Sequence, residues 1–315
     1  MSIFSTTLNQ MAFLFSLILL GFFLTKNGLL PKTAAGILSK LENYIFIPAL
    51  VLKTFIENFT IEKIGAAGSI FLTSFVMILI IMPIAILASR ACSKDKYIQN
   101  IYTYGLAFSN FGFMGNAVVS SLFPDIFFEY LIFTLPLWIF IYLWGVPVLL
   151  RSEAGQKQSL KDRLRAFVNP MFLCMLIGIT VGLSNLTLPV WVTSAAASCA
   201  DCMSPVAMLL TGITVASADL KKIFTNISIY AVTVIRLILS PLVTILLLYF
   251  LKPSDTLTIC AISSVAMPLG LNTIVIPSAY GKDTTVAAGM AIISHLLSCF
   301  TIPVIFTIMT LVFGL

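Results

Sequence analysis

The sequence predicts an all-α membrane protein: ten transmembrane helices arranged as two inverted five-helix repeats. Three observations lead there. The 315-residue chain is 59% hydrophobic and only 10% charged, against roughly 25% charged in an ordinary soluble domain, and so few charges cannot coat a water-soluble surface. Its apolar stretches are as long as a bilayer demands of a helix, and backbone groups in lipid need partners within their own segment. Prolines and asparagines also recur in matched pairs at one offset along the chain.

The apolar stretches place spans near 8–25, 36–56, 64–89, 98–121, 126–150, 167–184, 190–213, 226–250, 256–280 and 285–313. The first does not read as a signal peptide: no Lys or Arg precedes it, whereas Lys26 and Lys32 follow it. The connections after spans 1, 3, 5, 7 and 9 carry Lys26, Lys32, Arg90, Lys94, Lys96, Arg151, Lys157, Lys161, Arg163, Arg165, Lys221, Lys222 and Lys282, while the alternate loops hold little beyond Lys63 and Lys252. Positive loops stay in the cytoplasm, so both termini are expected outside a cell membrane (inner or plasma). The net charge of +6 follows from this bias. Basic residues spread over short loops argue against a nucleic-acid partner; the lipid bilayer is the partner expected.

Residues 151–166 (RSEAGQKQSLKDRLRA) form the most polar segment. They divide the chain into a first repeat at 1–150, a cytoplasmic linker at 151–166 and a second repeat at 167–315. Pro48 and Pro205 lie 157 residues apart, Pro83 and Pro241 lie 158 apart, and Pro147 and Pro303 lie 156 apart, as do Asn116 and Asn272. Five spans per half is an odd number, so the second half enters the membrane from the opposite side, a plan recurrent among secondary transporters.

The fourth span of each half is irregular. Span 4 contains Ser109-Asn110-Phe111-Gly112-Phe113-Met114-Gly115-Asn116, and span 9 contains Ala266-Met267-Pro268-Leu269-Gly270-Leu271-Asn272-Thr273. Glycine weakens a helix and proline deletes a backbone bond. In lipid such breaks persist only where the freed groups meet protein or line a cavity; the plainer alternative is a packing notch of small residues. Two clusters at matched positions favour broken, crossing helices, whose half-helix N-termini suit an anion. The amides of Asn110, Asn116 and Asn272 are the groups expected to hydrogen-bond a carboxylate.

Ionisable residues inside spans are costly and usually functional. Arg236 in span 8 and Asp201 in span 7 either pair, or Arg236 attracts the substrate anion while Asp201 takes a coupling proton or sodium. Glu42 in span 2 either binds an ion or, beside Lys40, snorkels to the interface. His295, the one histidine, suits proton coupling by its titration range, or is a satisfied packing residue. The six cysteines lie mostly within spans and read as small helix-contact residues; the single Cys199-x-x-Cys202 lacks a second ligand pair for a metal. GxGxxG, GxxxxGK[ST] and HExxH motifs are absent, so neither an enzyme nor a cofactor is expected.

At these residues the chain resembles the auxin efflux carrier family, which includes bacterial malate and malonate permeases and plant auxin exporters. The likeness lies in Leu41-Glu42-Asn43-Tyr44 leading to Pro48-Ala49-Leu50, in the span 4 segment from Ser109 to Asn116, and in the Pro268–Asn272 break. Asn116 departs from the pattern, since an apolar residue often follows the glycine. The resemblance implies a fold similar to sodium–bile acid symporters and sodium–proton antiporters, with spans 4 and 9 crossing at unwound centres beside the substrate. It implies a scaffold of spans 1, 2, 6 and 7, a transport domain moving like an elevator, and a homodimer through the scaffold. It therefore implies a carrier of small organic anions such as carboxylates or auxin-like acids. Its substrate site is expected at Asn110, Gly112, Gly115, Asn116, Pro268, Gly270 and Asn272, with Arg236. The rival expectations are a sodium-coupled symporter of bile-acid-like anions and a non-transporting receptor or regulator.

Overall fold

The computed structural model describes residues 3–31, 33–59, 61–150, 170–184, 186–217 and 224–315. The expected linker at 151–166 and the pair Lys221 and Lys222 lie outside the described residues. Among the described residues the chain is helical, without strands beyond one isolated bridge. The helices are α1 (Ile3–Lys26), α2 (Ala34–Leu41), α3 (Ile47–Asn58), α4 (Ile61–Cys92), α5 (Lys96–Ala107), α6 (Asn116–Leu122), α7 (Phe127–Phe140) and α8 (Val146–Leu150). From residue 170 onward come α9 (Pro170–Leu183), α10 (Val190–Ser217), α11 (Ile227–Val234), α12 (Ser240–Leu251), α13 (Asp255–Ala266), α14 (Asn272–Ala279) and α15 (Thr285–Phe313).

Seven helical stretches are long and apolar enough to cross a bilayer: Phe4–Lys26, Ala34–Glu57, Gly68–Cys92, Pro124–Leu150, Val190–Ser217, Ile227–Leu251 and Thr285–Phe313. The other three expected spans fall on shorter apolar helices: Phe111–Leu122, Pro170–Leu183 and Asp255–Ala266. A 12-residue helix rises only about 18 Å, well short of a hydrocarbon core of about 30 Å.

Several of the long stretches are continuous but not uniform. Single π-turns at Glu42–Phe46, Ile141–Gly145 and Ile235–Leu239 join α2 to α3, α7 to α8 and α11 to α12. Pro48, Pro147 and Pro241 each stand two residues beyond one of these turns. Proline lacks an N–H and its ring crowds the carbonyl four residues back, so the ladder widens by one residue just ahead of it. Pro83, Pro205 and Pro303 sit inside helices without such a turn.

Helix packing follows the same logic. α1 lies along α10, and α3 lies along α9. A Cβ on Gly21 would collide with the Leu209 carbonyl, and one on Gly212 with the Ile18 carbonyl, so α1 and α10 touch backbone to backbone. Gly178 and Gly182 of α9 play that part against Phe55 and Phe59, in the small-xxx-small spacing that brings membrane helices together. α4 packs on α5 and α7, while α12 packs on α13 and α15. Outside, Leu72, Ile80, Ile84 and Leu87 of α4 and Leu246, Leu247, Phe250 and Leu251 of α12 stand exposed. A contiguous apolar exterior of this extent belongs against lipid tails, and the chain is a multi-pass membrane protein.

Candidate functional site

Asp95 caps α5 by accepting the Ile98 N–H at 2.9 Å, and Ser254 caps α13 in the same way through Leu257. Both helices then stop in mid-course. After Ala107 the backbone is extended at Phe108 (φ −120°, ψ 116°), then resumes in the π-turn Phe111–Gly115 and α6. After Ala266 it is extended at Met267 (φ −68°, ψ 151°) and resumes at α14. Pro268 drives the second break, because the residue before a proline is pushed out of the helical region.

The two breaks meet each other. Ser109 and Leu269 pair as an isolated antiparallel bridge. The Asn110 N–H donates to the Pro268 carbonyl at 2.8 Å, and the Ser109 hydroxyl donates to the Ser264 carbonyl. Backbone groups freed by one break therefore serve as partners for the other, as an apolar interior requires. Contact this close needs a missing side chain: a Cβ on Gly270 would lie 2.8 Å from the Phe108 carbonyl oxygen. Gly112 and Gly115 pack in the same manner under the Trp138 ring and the Tyr130 hydroxyl.

Asn110 is 1% exposed, and its Nδ2 lies 2.9 Å from His295 Nε2. His295 Nδ1 lies 2.7 Å from the Ala291 carbonyl oxygen. A carbonyl only accepts, so Nδ1 carries the proton and Nε2 accepts from the Asn110 amide. Both ring nitrogens are thus engaged. Of the two expectations for His295, the satisfied packing residue is the one this geometry favours. The Asn272 amide donates to the Tyr104 hydroxyl at 3.0 Å. The Tyr130 hydroxyl donates to the Phe111 carbonyl at 3.0 Å inside the first break. Asn116 is buried, and its Oδ1 has no hydrogen-bond partner.

Of the two alternatives for Arg236 and Asp201, a pair between them is not what the structure has. Arg236 is 2% exposed and donates to the carbonyls of Leu106, Ser264 and Met267. Asp201 instead faces outward and pairs with Lys53 at 3.7 Å. The two residues belong to different regions: Arg236 follows α11 and reaches the breaks, while Asp201 lies on the α10 face beside α3. The pair is largely exposed, and losing one member of such an ion pair costs about 0.2–1 kcal/mol. Lys53→Met is therefore expected to lower the thermal midpoint in detergent, and Lys53→Met with Asp201→Asn to recover most of the loss. A double variant no better than the single would mean the pair is not coupled.

Glu42 is fully buried in its π-turn, and neither carboxylate oxygen has a hydrogen-bond donor. Snorkelling to an interface is overturned for this residue. Its turn packs on α10 and α9, and Ser39, three residues earlier, donates to the Val275 carbonyl of α14 at 3.1 Å.

Beside the breaks is a cavity lined by Ile47, Leu50, Val51, Thr54, Phe55, Asn116, Leu131, Thr134, Leu135, Trp138, Met171, Met175 and Met203. None of these side chains is ionisable. Asn116 is the one amide among them, and with the Thr54 and Thr134 hydroxyls it is set in a wall that is otherwise aliphatic, aromatic and thioether. Tyr104, Tyr130, Trp138 and the three methionines were not legible as site residues.

The chain is a helical multi-pass membrane protein in which two interrupted helices meet at their breaks. The family model described as membrane transport protein matches residues 6–306, and the chain belongs to that family, the auxin efflux carriers. Members of this family are transporters, and this protein is a membrane transporter. No curated protein matches the chain.

Proposed function

We propose that the protein is a secondary carrier of small organic anions such as carboxylates or auxin-like acids, bound where the breaks of spans 4 and 9 meet. The observation that carries this reading is the cavity beside the breaks, which sets the buried Asn116 amide, with the Thr54 and Thr134 hydroxyls, in a mostly apolar wall. An amide N–H there hydrogen-bonds a carboxylate, and Trp138 with Met171, Met175 and Met203 accommodates an apolar body. Gly112, Gly115, Pro268, Gly270 and Asn272 shape the meeting point, and Asn110 is held beside it by His295.

The reading includes ten spans in two inverted repeats, 1–150 and 167–315. Supporting it, the packing of α1 on α10 and of α9 on α3 exchange under a five-span shift, as do the packing of α4 on α5 and α7 and of α12 on α13 and α15. The cavity is lined from spans 2, 6 and 7 on one side and from spans 4 and 5 on the other. On this reading it lies between a scaffold panel and a transport domain that moves as an elevator; the reading also has both termini outside the cell membrane and a homodimer formed through the scaffold. Proton or sodium coupling would fall to Glu42, whose buried carboxylate has no hydrogen-bond donor, before Asp201, which pairs with Lys53, or His295, whose ring nitrogens are both engaged. The apolar wall also suits the second reading, a sodium-coupled symporter of bile-acid-like anions.

The test is a thermal-shift screen of the purified protein against dicarboxylates, monocarboxylates and indole acids, followed by flux of any hit into proteoliposomes. A ligand at a hundred times its Kd stabilises the folded state by about 2.7 kcal/mol. The expected result is stabilisation by an acid bearing an apolar body, with flux. Uptake that requires a sodium gradient selects the second reading. Binding without flux makes the protein a receptor and overturns the carrier.

A further inference from the structure

Arg236 stands on the π-turn Ile235–Leu239 and is the only cation placed at the meeting breaks among the described residues. Its Nη1 donates to the Leu106 carbonyl at 3.0 Å, its Nη2 to the Ser264 carbonyl at 3.3 Å and its Nε to the Met267 carbonyl at 3.3 Å. Leu106 lies in the last turn of α5, Ser264 lies in the last turn of α13, and Met267 follows it in the break. Terminal carbonyls of a helix have no partner within it. One guanidinium therefore caps the C-terminal ends of both interrupted helices at once. A planar fork with several donors is suited to this, and an ammonium is not. No carboxylate among the described residues pairs with Arg236, for the ion pair there is Lys53–Asp201.

The electrostatic consequence follows from the directions of the helices. α5 and α13 bring two negative dipole ends to the meeting point, and the segments resuming at Phe111 and Asn272 bring two positive ends. Left alone, the four ends offset one another and favour neither sign of ligand. A guanidinium bound to the two negative ends leaves the positive ends uncompensated, in surroundings where charge acts over longer distances than in water. The first half does not supply a second such residue: 158 positions earlier, at the offset of Pro83 and Pro241, stands the buried, apolar Ile78.

We propose that Arg236 is the specificity-determining charge of this transporter, selecting anions over neutral isosteres by acting through the half-helix ends rather than by touching the substrate. The proposal rests on the reading that an organic acid binds at the meeting breaks.

The experiment uses the full-length purified protein in nanodiscs and two probe pairs, indole-3-acetate with indole-3-acetamide and benzoate with benzamide. Affinities are measured by calorimetry for the wild type, Arg236→Lys and Arg236→Gln, together with thermal midpoints. The wild type is expected to prefer the acid of a pair by at least about tenfold. Arg236→Lys keeps most of that preference while losing thermal stability, because the charge stays and the three-carbonyl fork is lost. Arg236→Gln loses the preference, its acid affinity falling to that of the amide while the amide affinity holds. A purely structural cap would lower both midpoints and leave the acid-to-amide ratio unchanged, and that outcome overturns the proposal. Should Arg236→Gln not fold, the wild-type and Arg236→Lys ratios decide: a wild-type ratio near one, or a preference lost in Arg236→Lys, overturns it. Binding of both acid and amide without preference sinks this proposal alone, whereas failure of the wild type to bind any acid sinks the carrier reading with it.

Discussion

Gly212→Val is expected to leave little folded protein in the membrane. The Cβ of any residue at this position would overlap the Ile18 carbonyl and lie 2.7 Å from the Phe22 backbone nitrogen. Both obstacles are backbone, so no rotamer change relieves them. Gly21 makes the reciprocal approach, its own Cβ position falling on the Leu209 carbonyl. α1 and α10 would have to separate along their length, and each loses the close contact that substitutes for a hydrophobic driving force between helices in lipid. Overpacking of a close-packed core costs about 1–3 kcal/mol when side chains alone must move, and more against a fixed backbone. Size-exclusion profiles and the thermal midpoint of a fluorescent fusion measure the effect. Gly36→Ala is the control, because nothing lies within 4 Å of its Cβ position; it is expected to be neutral or slightly stabilising, by about 0.5–1 kcal/mol. A Gly212→Val protein as abundant and monodisperse as wild type would show that α1 and α10 do not pack as described.

The second large effect separates binding from stability at two matched asparagines. Asn116→Ala removes an amide whose Oδ1 has no hydrogen-bond partner, so the thermal midpoint is expected to stay near that of wild type. Transport of whichever acid the screen identifies is expected to fall by roughly ten- to a hundredfold, the equivalent of one hydrogen bond to a charged group at about 1.5–3 kcal/mol. Asn272→Ala behaves differently. It strands the buried Tyr104 hydroxyl, which now accepts from the Asn272 amide at 3.0 Å, and leaving such a group unpaired costs about 1–3 kcal/mol. Stability and transport are both expected to drop. Adding Tyr104→Phe to Asn272→Ala should recover part of the midpoint but not the flux. If both alanine variants fold and transport at the wild-type rate, the meeting breaks are not the substrate site.

These contrasts also mark where residue pattern stops being informative. The breaks themselves were readable, because Pro268 and the glycines act on their own backbone wherever the chain goes. The prolines at matched offsets were readable for the same reason, although the π-turns ahead of Pro48, Pro147 and Pro241 alone among them were not. Arg236 stood out as a charge in an apolar stretch, but its spacing pointed as well to Asp201 as to anything else. Its actual partners, the carbonyls of Leu106, Ser264 and Met267, are main-chain atoms and leave no residue-type signature. Glu42 was equally open: two turns from a helix end, a carboxylate can reach water or not, and only the packing of its turn against α10 and α9 decides that it does not.

What the sequence determined by itself is therefore the local part: helices throughout, an apolar exterior, and two interruptions placed by proline and glycine. Hydrophobic content and backbone propensity are properties of short segments, and lipid leaves a helix little alternative. What the tertiary structure alone decided is how those interruptions are satisfied. Asn110 meets His295 across 185 positions, Ser109 meets Ser264 across 155, and one guanidinium closes two helix ends 130 and 28 residues away. Buried donors and acceptors must find partners, but which ones they find depends on which helices lie side by side, and that is set by backbone contacts such as Gly21 and Gly212 rather than by any motif.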